Sequence, residues 1–198
     1  MSDRSLIWQQ FKAGSWSAYT EIYDGHFTQL YNYGHKFTKD TDLIEDCIQD
    51  LFTKLWQRRD GLGEPASVKN YLYKAFRNTI ISKIQALPDV DLLSDEYAFT
   101  YEISREASLA EQENHAEIQG RIKALVDQLP ARQREIIFLR FYEDMSYEEI
   151  ADVMEISVTS AYKLLYKAVD RMQLLMHLPK TAILLLMMQD NFRHHSIF

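Results

Sequence analysis

Residues 146–172 read SYEEIADVMEISVTSAYKLLYKAVDRM and carry the clearest structural pattern in this chain of 198 residues. The first four residues match a capping box, in which a serine and a glutamate three positions later bind the unpaired amides at a helix start. Ile150, Ala151 and Met154 follow at helical spacing, and Ala151 is small enough to let a second helix cross closely. The pattern therefore predicts a short helix after Ser146.

A second helix is predicted after a three-residue turn, Glu155 to Ser157, with Ser157 as its cap. Its predicted inner face consists of Val158, Ala161, Leu165, Ala168 and Met172. Its predicted outer face is polar and aromatic and consists of Thr159, Ser160, Tyr162, Lys163, Tyr166, Lys167 and Arg171. If the turn needs a left-handed residue, Glu155 is a costlier choice than glycine.

Two helices joined in this way are typical of a helix-turn-helix, whose second helix lies in the DNA major groove with its first residues toward the base edges. We expect Thr159, Ser160 and Lys163 to reach bases or phosphates. Lys167 and Arg171 are expected to contact the DNA backbone. The alternative is an ordinary helical hairpin with a solvated outer face. The capping box, the small alanine and the three-residue turn together favour DNA binding.

The composition predicts an all-helical fold. Glycine occurs 6 times and proline 4 times, so helix breakers are few, and hydrophobic residues make up 46% of the chain. No segment alternates apolar and polar residues for long enough to indicate a sheet. We predict an all-α chain of two helical domains joined by an acidic linker, with the helix-turn-helix in the C-terminal domain.

Charge is unevenly distributed along the chain. The formal net charge is −7, which argues against a protein that binds DNA alone, because phosphate neutralisation supplies most non-specific affinity. Residues 65–88 hold four cations and no acid, whereas residues 89–117 hold nine acids and one arginine. Residues 88–107 show no helical period and are predicted to form the linker.

Two helices stand out in the N-terminal half. One is predicted to begin at Asp42, which forms a capping box with Glu45, and it carries an apolar stripe that includes the single cysteine, Cys47. A lone thiol in such a stripe indicates a small core residue and excludes an internal disulfide. The other is predicted to begin at its cap, Ser67, and to extend to Ile84.

Three segments read DLIEDCIQDLFTKLW (residues 42–56), YLYKAFRN (71–78) and LPARQREIIFLRFY (129–142). Together with the helix-turn-helix, they resemble the extracytoplasmic-function (ECF) sigma factors of the sigma-70 family, in the family's order and spacing. The resemblance implies a non-enzymatic subunit that gives RNA polymerase its promoter specificity.

The chain is expected to have four parts, three of which follow from the resemblance. Residues 1–87 correspond to sigma region 2, which binds core polymerase and the −10 element, and residues 108–178 to region 4, which reads the −35 element. Residues 88–107 are the linker, which in the family threads the polymerase channel; a solvated charged tether is the alternative. The apolar residues of 179–198, rather than the resemblance, indicate a C-terminal tail that either packs on the C-terminal domain or contacts a partner such as an anti-sigma factor.

Three sets of binding residues follow from the resemblance. The face that clamps the coiled coil of the polymerase β′ subunit is Glu45, Asp46, Gln49, Asp50 and Thr53. The −10 face, where cations suit phosphates and rings suit unstacked bases, is Lys69, Asn70, Tyr73, Lys74, Arg77 and Asn78. The −35 face is Ser157, Thr159, Ser160, Tyr162, Lys163, Tyr166, Lys167 and Arg171. The loop of residues 61–67 corresponds to the family's pocket for a flipped −10 base. Without the resemblance, the acidic face alone indicates only a solvated surface.

Three residues depart from the family pattern. Ser82 replaces the usual aspartate, Tyr162 stands where lysine is usual, and Leu164 stands where arginine is common. These departures bear on the strength of the −10 contact and on which −35 sequence is read.

The sequence indicates no catalytic, cofactor or metal site. The six histidines lack metal-ligand spacing, and no glycine-rich phosphate loop is present. The expected partners are core RNA polymerase (at the β′ coiled coil and the β flap), promoter DNA and an anti-sigma factor, with no small-molecule substrate. The start lacks a signal-peptide pattern and no apolar run approaches the ~20 residues of a membrane span, so a cytoplasmic protein is expected.

Two other functions compete with this interpretation. A stand-alone helix-turn-helix transcriptional regulator explains residues 146–172 equally well, but it leaves the basic-aromatic helix and the acidic face unexplained. A helical enzyme needs a convergent polar pocket, which the sequence does not indicate.

Overall fold

The structure is a computed structural model that describes residues 3–87, 97–100 and 124–176, together with residues 181 and 183. The chain divides into two compact units, Met1–Tyr97 and Ala98–Phe198. Every regular element in the described part is helical, so the predicted all-α fold is confirmed. Most of the predicted linker and nearly all of the predicted C-terminal tail lie outside the described residues.

The first unit is built on four α-helices in its described part. α1 spans Asp3–Lys12, α2 spans Trp16–Gly34, α3 spans Thr41–Arg58 and α4 spans Val68–Gln85. A 3-10 turn, Arg59–Gly61, follows α3 and leads into the loop before α4. Helices α2, α3 and α4 pack on one another and enclose the core of this unit.

That core is largely aromatic. The ring centroid of Tyr33 lies 5.0 Å from those of Phe37 and Tyr73 and 6.1 Å from that of Phe76. Cys47 is buried, and burial raises the pKa of its thiol. The prediction that Cys47 is a small core residue is confirmed.

Gly34 ends α2 at its closest approach to α3 and α4. A Cβ atom at this position would lie 2.6 Å from Cγ2 of Ile44 and 3.0 Å from Cζ of Phe76. Both distances are shorter than van der Waals contact, so a glycine is required for the helices to pack this closely. Packing therefore offsets the poor helix propensity of this residue.

The starts of α3 and α4 are fixed by side-chain caps. Oγ of Ser67 accepts a hydrogen bond from the backbone amide of Asn70 at 3.2 Å, as predicted. Helix α3 is instead capped by Asp40, whose Oδ1 accepts from the amide of Leu43 at 3.1 Å. The prediction that Asp42 caps this helix is therefore wrong: of two competing acids, the earlier one caps, and Asp42 lies in the first turn, where its charge favours the helix dipole.

The second unit contains α5 (Ala131–Phe141), α6 (Tyr147–Val153) and α7 (Val158–Met176), and residues 124–126 are also helical. Pro130 is the N-cap residue of α5. Helix α7 packs on α5 and α6 through a buried stripe of Ala161, Leu165, Ala168, Val169 and Met172. Val158, predicted to face inward, is 36% exposed because it begins α7 ahead of the packed turns, so that part of the prediction is wrong.

Two of the described linker residues, which span 97–100, are buried. Tyr97 packs on the first unit, with its ring centroid 5.5 Å from that of Phe37. Phe99 packs on the second unit, with its ring centroid 6.0 Å from that of Phe138. These two linker residues are anchored by aromatic contacts, so the alternative of a solvated tether does not hold for them.

Candidate functional site

The helix-turn-helix begins with the predicted capping box. The backbone amide of Ser146 donates to Oε2 of Glu149 at 2.9 Å, and the amide of Glu149 donates to Oγ of Ser146 at 3.2 Å. Ile150 and Ala151, one turn later, are buried. The two reciprocal hydrogen bonds fix where α6 begins, and the buried pair fixes which of its faces points inward.

The turn between α6 and α7 is left-handed at Glu155, whose φ is 53°. The amide of Ile156 donates to the carbonyl oxygen of Ala151 at 2.9 Å and closes the end of α6. Oγ of Ser157 accepts from the amide of Ser160 at 3.1 Å and so caps α7. The predicted turn between the two helices and the predicted cap of the second helix are thus confirmed. Glu155 bears a conformational cost of about 1 kcal/mol relative to glycine.

Helix α7, the predicted recognition helix, and its cap expose every residue assigned to the −35 face, namely Ser157, Thr159, Ser160, Tyr162, Lys163, Tyr166, Lys167 and Arg171. Tyr162 is 50% exposed and Tyr166 is 59% exposed. The ring of Tyr162 stacks on that of Tyr147, the first residue of α6, with centroids 3.7 Å apart. Sequence reasoning missed Tyr147, because no local period links positions on two different helices.

The predicted −10 face on α4 is only partly exposed. Asn78 is exposed, and Lys69, Asn70 and Lys74 are half-buried. Tyr73 and Arg77 are buried, so the prediction that these two side chains point outward is wrong. Tyr73 and Arg77 lie one turn apart, next to the apolar stripe of α4, so the buried face of this helix is wider than the apolar stripe alone.

Arg77 is covered by Tyr97 and is only 7% exposed. Nη2 of Arg77 donates to the Tyr97 hydroxyl at 2.9 Å, and the guanidinium carbon lies 5.1 Å from the centroid of the Tyr97 ring. Lys69 Nζ similarly lies 5.5 Å from the ring centroid of Tyr73. Of the predicted −10 face, Lys69, Asn70, Lys74 and Asn78 therefore remain wholly or partly accessible, and Tyr73 and Arg77 do not.

The acidic face of α3 is exposed at Glu45, Asp46, Gln49 and Thr53. Asp50 is half-buried, and its Oδ2 lies 2.8 Å from Nζ of Lys83 on α4. The hydrogen bond from Lys83 lowers the pKa of the Asp50 carboxyl below its usual value, and the same bond raises the pKa of Lys83. The predicted set is thus divided: Asp50 joins α3 to α4, and the other four residues remain available to a partner.

The loop of residues 61–67 is tied to α1, and the 3-10 turn before it is tied to the end of α3. Nε1 of Trp8 donates to the carbonyl oxygen of Gly63 at 3.0 Å. The guanidinium carbon of Arg59 lies 4.6 Å from the ring centroid of Trp56, whose carbonyl oxygen accepts from Arg59 Nη1 at 2.8 Å. Trp8 was not among the predicted site residues, since 55 positions separate it from its partner.

Within the described ranges, no cluster of histidine, cysteine, aspartate or glutamate is arranged to hold a metal ion. The helices described there also include none that is both long and apolar enough to cross a membrane.

Two family models match this chain. Residues 22–87 match sigma-70 region 2, and residues 119–172 match sigma-70 region 4. The chain is 27% identical over 149 residues to the RNA polymerase sigma factor SigV of Bacillus subtilis, which is 75% of this chain and 85% of that protein. It is 25% identical over 155 residues to the ECF RNA polymerase sigma factor SigM of the same organism, which is 78% of this chain and 93% of that protein.

Two solved structures share the fold. CnrH, in complex with the cytosolic domain of CnrY, superposes with a TM-score of 0.60 at 19% identity, covering 88% of this chain and 98% of that one. The sigma factor RpoE of Bartonella quintana, in complex with the anti-sigma factor NepR, superposes with a TM-score of 0.56 at 21% identity, covering 80% and 96%.

Proposed function

This chain belongs to the extracytoplasmic-function sigma factors of the sigma-70 family, which direct RNA polymerase to promoters, and we propose that three of its surfaces share that task. The observation that carries the proposal is the complete helix-turn-helix, in which a capped recognition helix exposes its polar and aromatic face. The matches to sigma-70 regions 2 and 4 support one surface for polymerase and two for DNA.

The recognition helix α7 reads the −35 element in this proposal. Thr159, Ser160, Tyr162 and Lys163 lie in its first turns, the part of such a helix that reaches base edges. Lys167 and Arg171 lie further along and are placed to neutralise phosphates. This division predicts that the early residues set the sequence that is read and the later ones set the salt dependence.

The exposed part of α4 receives the −10 element. Lys69 and Lys74 supply charge for the backbone of the separated strand, and Asn70 and Asn78 supply donors and acceptors for base edges. Arg77 and Tyr73 are assigned here to support that surface from within the core, since both are buried. The loop tied down by Trp8 is assigned to the flipped −10 base, whose unstacking costs a few kcal/mol.

The acidic face of α3 binds the β′ coiled coil of core polymerase. Glu45, Asp46, Gln49 and Thr53 are all exposed and follow one side of the helix. Carboxylates and amides at such positions suit arginines on a partner helix. In region 4, a contact with the polymerase β flap is proposed on the strength of the family alone.

We also propose, by analogy with the family, that another protein regulates this chain and that the chain itself catalyses no reaction. CnrH and RpoE were solved with CnrY and the anti-sigma factor NepR, and we propose an anti-sigma factor as a partner of this chain too. The chain acts as a transcription initiation factor that uses no cofactor and transforms no small molecule itself, because the polymerase supplies the chemistry. Its place of action is then the cytoplasm, where polymerase and promoters are.

The test is binding of the full chain to bacterial core RNA polymerase, with Asp46→Arg compared with wild type. Asp46 lies on the exposed acidic face, whereas Asp50 is unsuitable because its reversal also breaks the pair with Lys83. Glu21→Arg, which reverses an exposed acid on α2, is the matched control. We expect roughly thirtyfold weaker binding for Asp46→Arg and unchanged binding for the control, since loss of a charged interface pair costs about 2 kcal/mol. Equal binding by all three proteins would reject this surface.

A stand-alone helix-turn-helix regulator is the competing function. It predicts tight binding of the chain to duplex DNA without polymerase, which a net charge of −7 disfavours. It also provides no role for the match to sigma-70 region 2 over residues 22–87.

A further inference from the structure

We propose that Tyr147 is a specificity-determining positioning residue, which holds the ring of Tyr162 so that the recognition helix reads one thymine of the −35 element. This inference rests on the proposed function of the helix-turn-helix. It adds Tyr147, a residue that lies outside the recognition helix. It also specifies the kind of contact with DNA, in which the aromatic ring of Tyr162 packs on a thymine methyl group.

The two rings form the closest aromatic pair among the described residues. Their centroids are 3.7 Å apart and their planes differ by 24°. Tyr147 is the first residue of α6, whereas Tyr162 lies in the second turn of α7, so the stack joins the two helices of the motif. Tyr162 nevertheless remains 50% exposed, because Tyr147 covers one face of its ring and leaves the rest to solvent.

Arg140 holds Tyr147 from another helix. Its guanidinium carbon lies 5.6 Å from the centroid of the Tyr147 ring. Its Nη1 donates to the carbonyl oxygen of Met145 at 2.9 Å and lies 3.6 Å from Oδ1 of Asp144. Arg140 is therefore anchored to the turn between α5 and α6, and Arg140, Tyr147 and Tyr162 link three helices in sequence.

The stack affects DNA recognition because it restricts the side-chain rotamers of Tyr162. An isolated tyrosine on a helix surface samples several χ1 wells, but a ring stacked at 3.7 Å is restricted to the one that keeps the stack. A lysine at position 162 would bind any nearby phosphate, whatever the DNA sequence. A fixed, uncharged ring instead offers an apolar edge, and the apolar group that it can meet in the major groove is the thymine methyl.

The experiment uses holoenzyme made from bacterial core polymerase and the full chain, and it selects from promoters with a randomised −35 region. Tyr147→Leu keeps apolar bulk at the α6 start but removes the ring face, and Tyr147→Phe keeps the ring. Tyr162→Leu removes the proposed reading group itself. Tyr142→Leu is the matched control, because Tyr142 also stacks on a neighbour, Phe138, at 5.5 Å but lies outside the motif.

We expect the wild type, Tyr147→Phe and Tyr142→Leu to select one motif that includes a thymine. Tyr147→Leu and Tyr162→Leu should both lose preference at that same thymine, by ~10-fold, the loss expected for one base contact. Replacing that thymine with deoxyuridine, which lacks only the methyl group, should weaken wild-type binding and leave Tyr162→Leu unaffected. This last measurement requires no variant at position 147.

Three results overturn the inference: an unchanged motif with Tyr147→Leu, an equal loss at every position, or losses at different positions for Tyr147→Leu and Tyr162→Leu. Indifference of the wild type to deoxyuridine overturns the thymine contact. If wild-type holoenzyme selects no −35 motif, the proposed function fails instead, so the two failures are distinguishable.

Discussion

Arg77 and Tyr97 contact each other in two ways: the guanidinium group of Arg77 donates a hydrogen bond to the Tyr97 hydroxyl at 2.9 Å, and its Cζ atom lies 5.1 Å from the centroid of the Tyr97 ring. Twenty positions separate the two residues, and Tyr97 also packs on Phe37. The pair thus fastens one residue of the predicted linker to α4. It also withdraws one cation from the face proposed for the −10 element.

Removal of this pair should destabilise the first unit. We expect Arg77→Ala to lower its unfolding free energy by about 2 kcal/mol, because a buried hydrogen bond to a charged group is lost. Lys74→Ala, a half-buried cation one turn earlier, is the control and should cost about 0.5 kcal/mol. Trp8, Trp16 and Trp56 account for all 3 tryptophans, so tryptophan fluorescence during urea unfolding reports on this unit. Equal midpoints for the two variants would contradict a structural role for Arg77.

The pair of Asp50 and Lys83 should make stability depend on pH. The folded-state pKa of Asp50 is lowered by the hydrogen bond from Lys83, so its contribution is present above the pKa of an unfolded aspartate, ~3.9, and is lost as pH falls through the lowered value. The pKa of Lys83 is raised, so its contribution is present below ~10.4 and is lost as pH rises through the raised value.

Both side chains are partly exposed, so solvent screens the pair and its contribution is about 0.5 kcal/mol. The unfolding free energies of wild type and Asp50→Asn should differ by this amount near neutral pH and converge in acid. High salt should also reduce the difference. Glu21→Gln serves as the control on an exposed acid of α2. A difference between wild type and Asp50→Asn that is constant down to acid pH would show that the charge pair does not stabilise the fold.

Two glycines in α2 should respond to alanine in opposite directions. At Gly34 a Cβ atom would lie 2.6 Å from Ile44, so Gly34→Ala should destabilise the first unit by about 2 kcal/mol. At Gly25 the added carbon would meet no atom within 4 Å apart from the adjacent residues and the backbone of α2, so Gly25→Ala should stabilise the unit by about 0.5–1 kcal/mol through helix propensity. Tryptophan fluorescence during urea unfolding measures both. Stabilisation by Gly34→Ala would disprove the close helix approach.

Replacement of Glu155 with glycine should stabilise the second unit. The backbone at Glu155 has a φ of 53°, which glycine adopts without steric cost, so we expect a gain of about 1 kcal/mol and a rise in Tm of about 4 °C. Glu148→Gly, within helix α6, should do the reverse. Thermal unfolding followed by helical circular dichroism measures the two changes. A lower Tm for Glu155→Gly would contradict a net backbone cost at this position.

Local patterns predicted local structure well in this chain. The capping box at Ser146, the cap at Ser157 and the exposed outer face of the recognition helix all depend on residues within a few positions of one another. Cys47 was likewise predictable, because its stripe alone determines its burial. The choice between Asp40 and Asp42 as a cap was not, since each offers a carboxylate at an adequate position.

Distant contacts account for the errors on α4. An apolar stripe on α4 implies that the opposite face is solvated, but Tyr33 and Tyr97 cover the flanking residues Tyr73 and Arg77. The pair of Asp50 and Lys83 and the hydrogen bond from Trp8 to Gly63 also join residues that are far apart in sequence. Side chains that the helical pattern predicts to be exposed are buried by such partners, and the pattern contains no information about contacts between distant residues.

The central claim is that this chain confers promoter specificity on RNA polymerase. The most direct test mixes the purified full chain with core polymerase and bacterial genomic DNA and maps the 5′ ends of the transcripts. We predict start sites that occur only when the chain is present and that share two sequence elements at a fixed spacing. Absence of any chain-dependent start site, together with binding of the chain alone to duplex DNA, would contradict the claim and identify a stand-alone regulator.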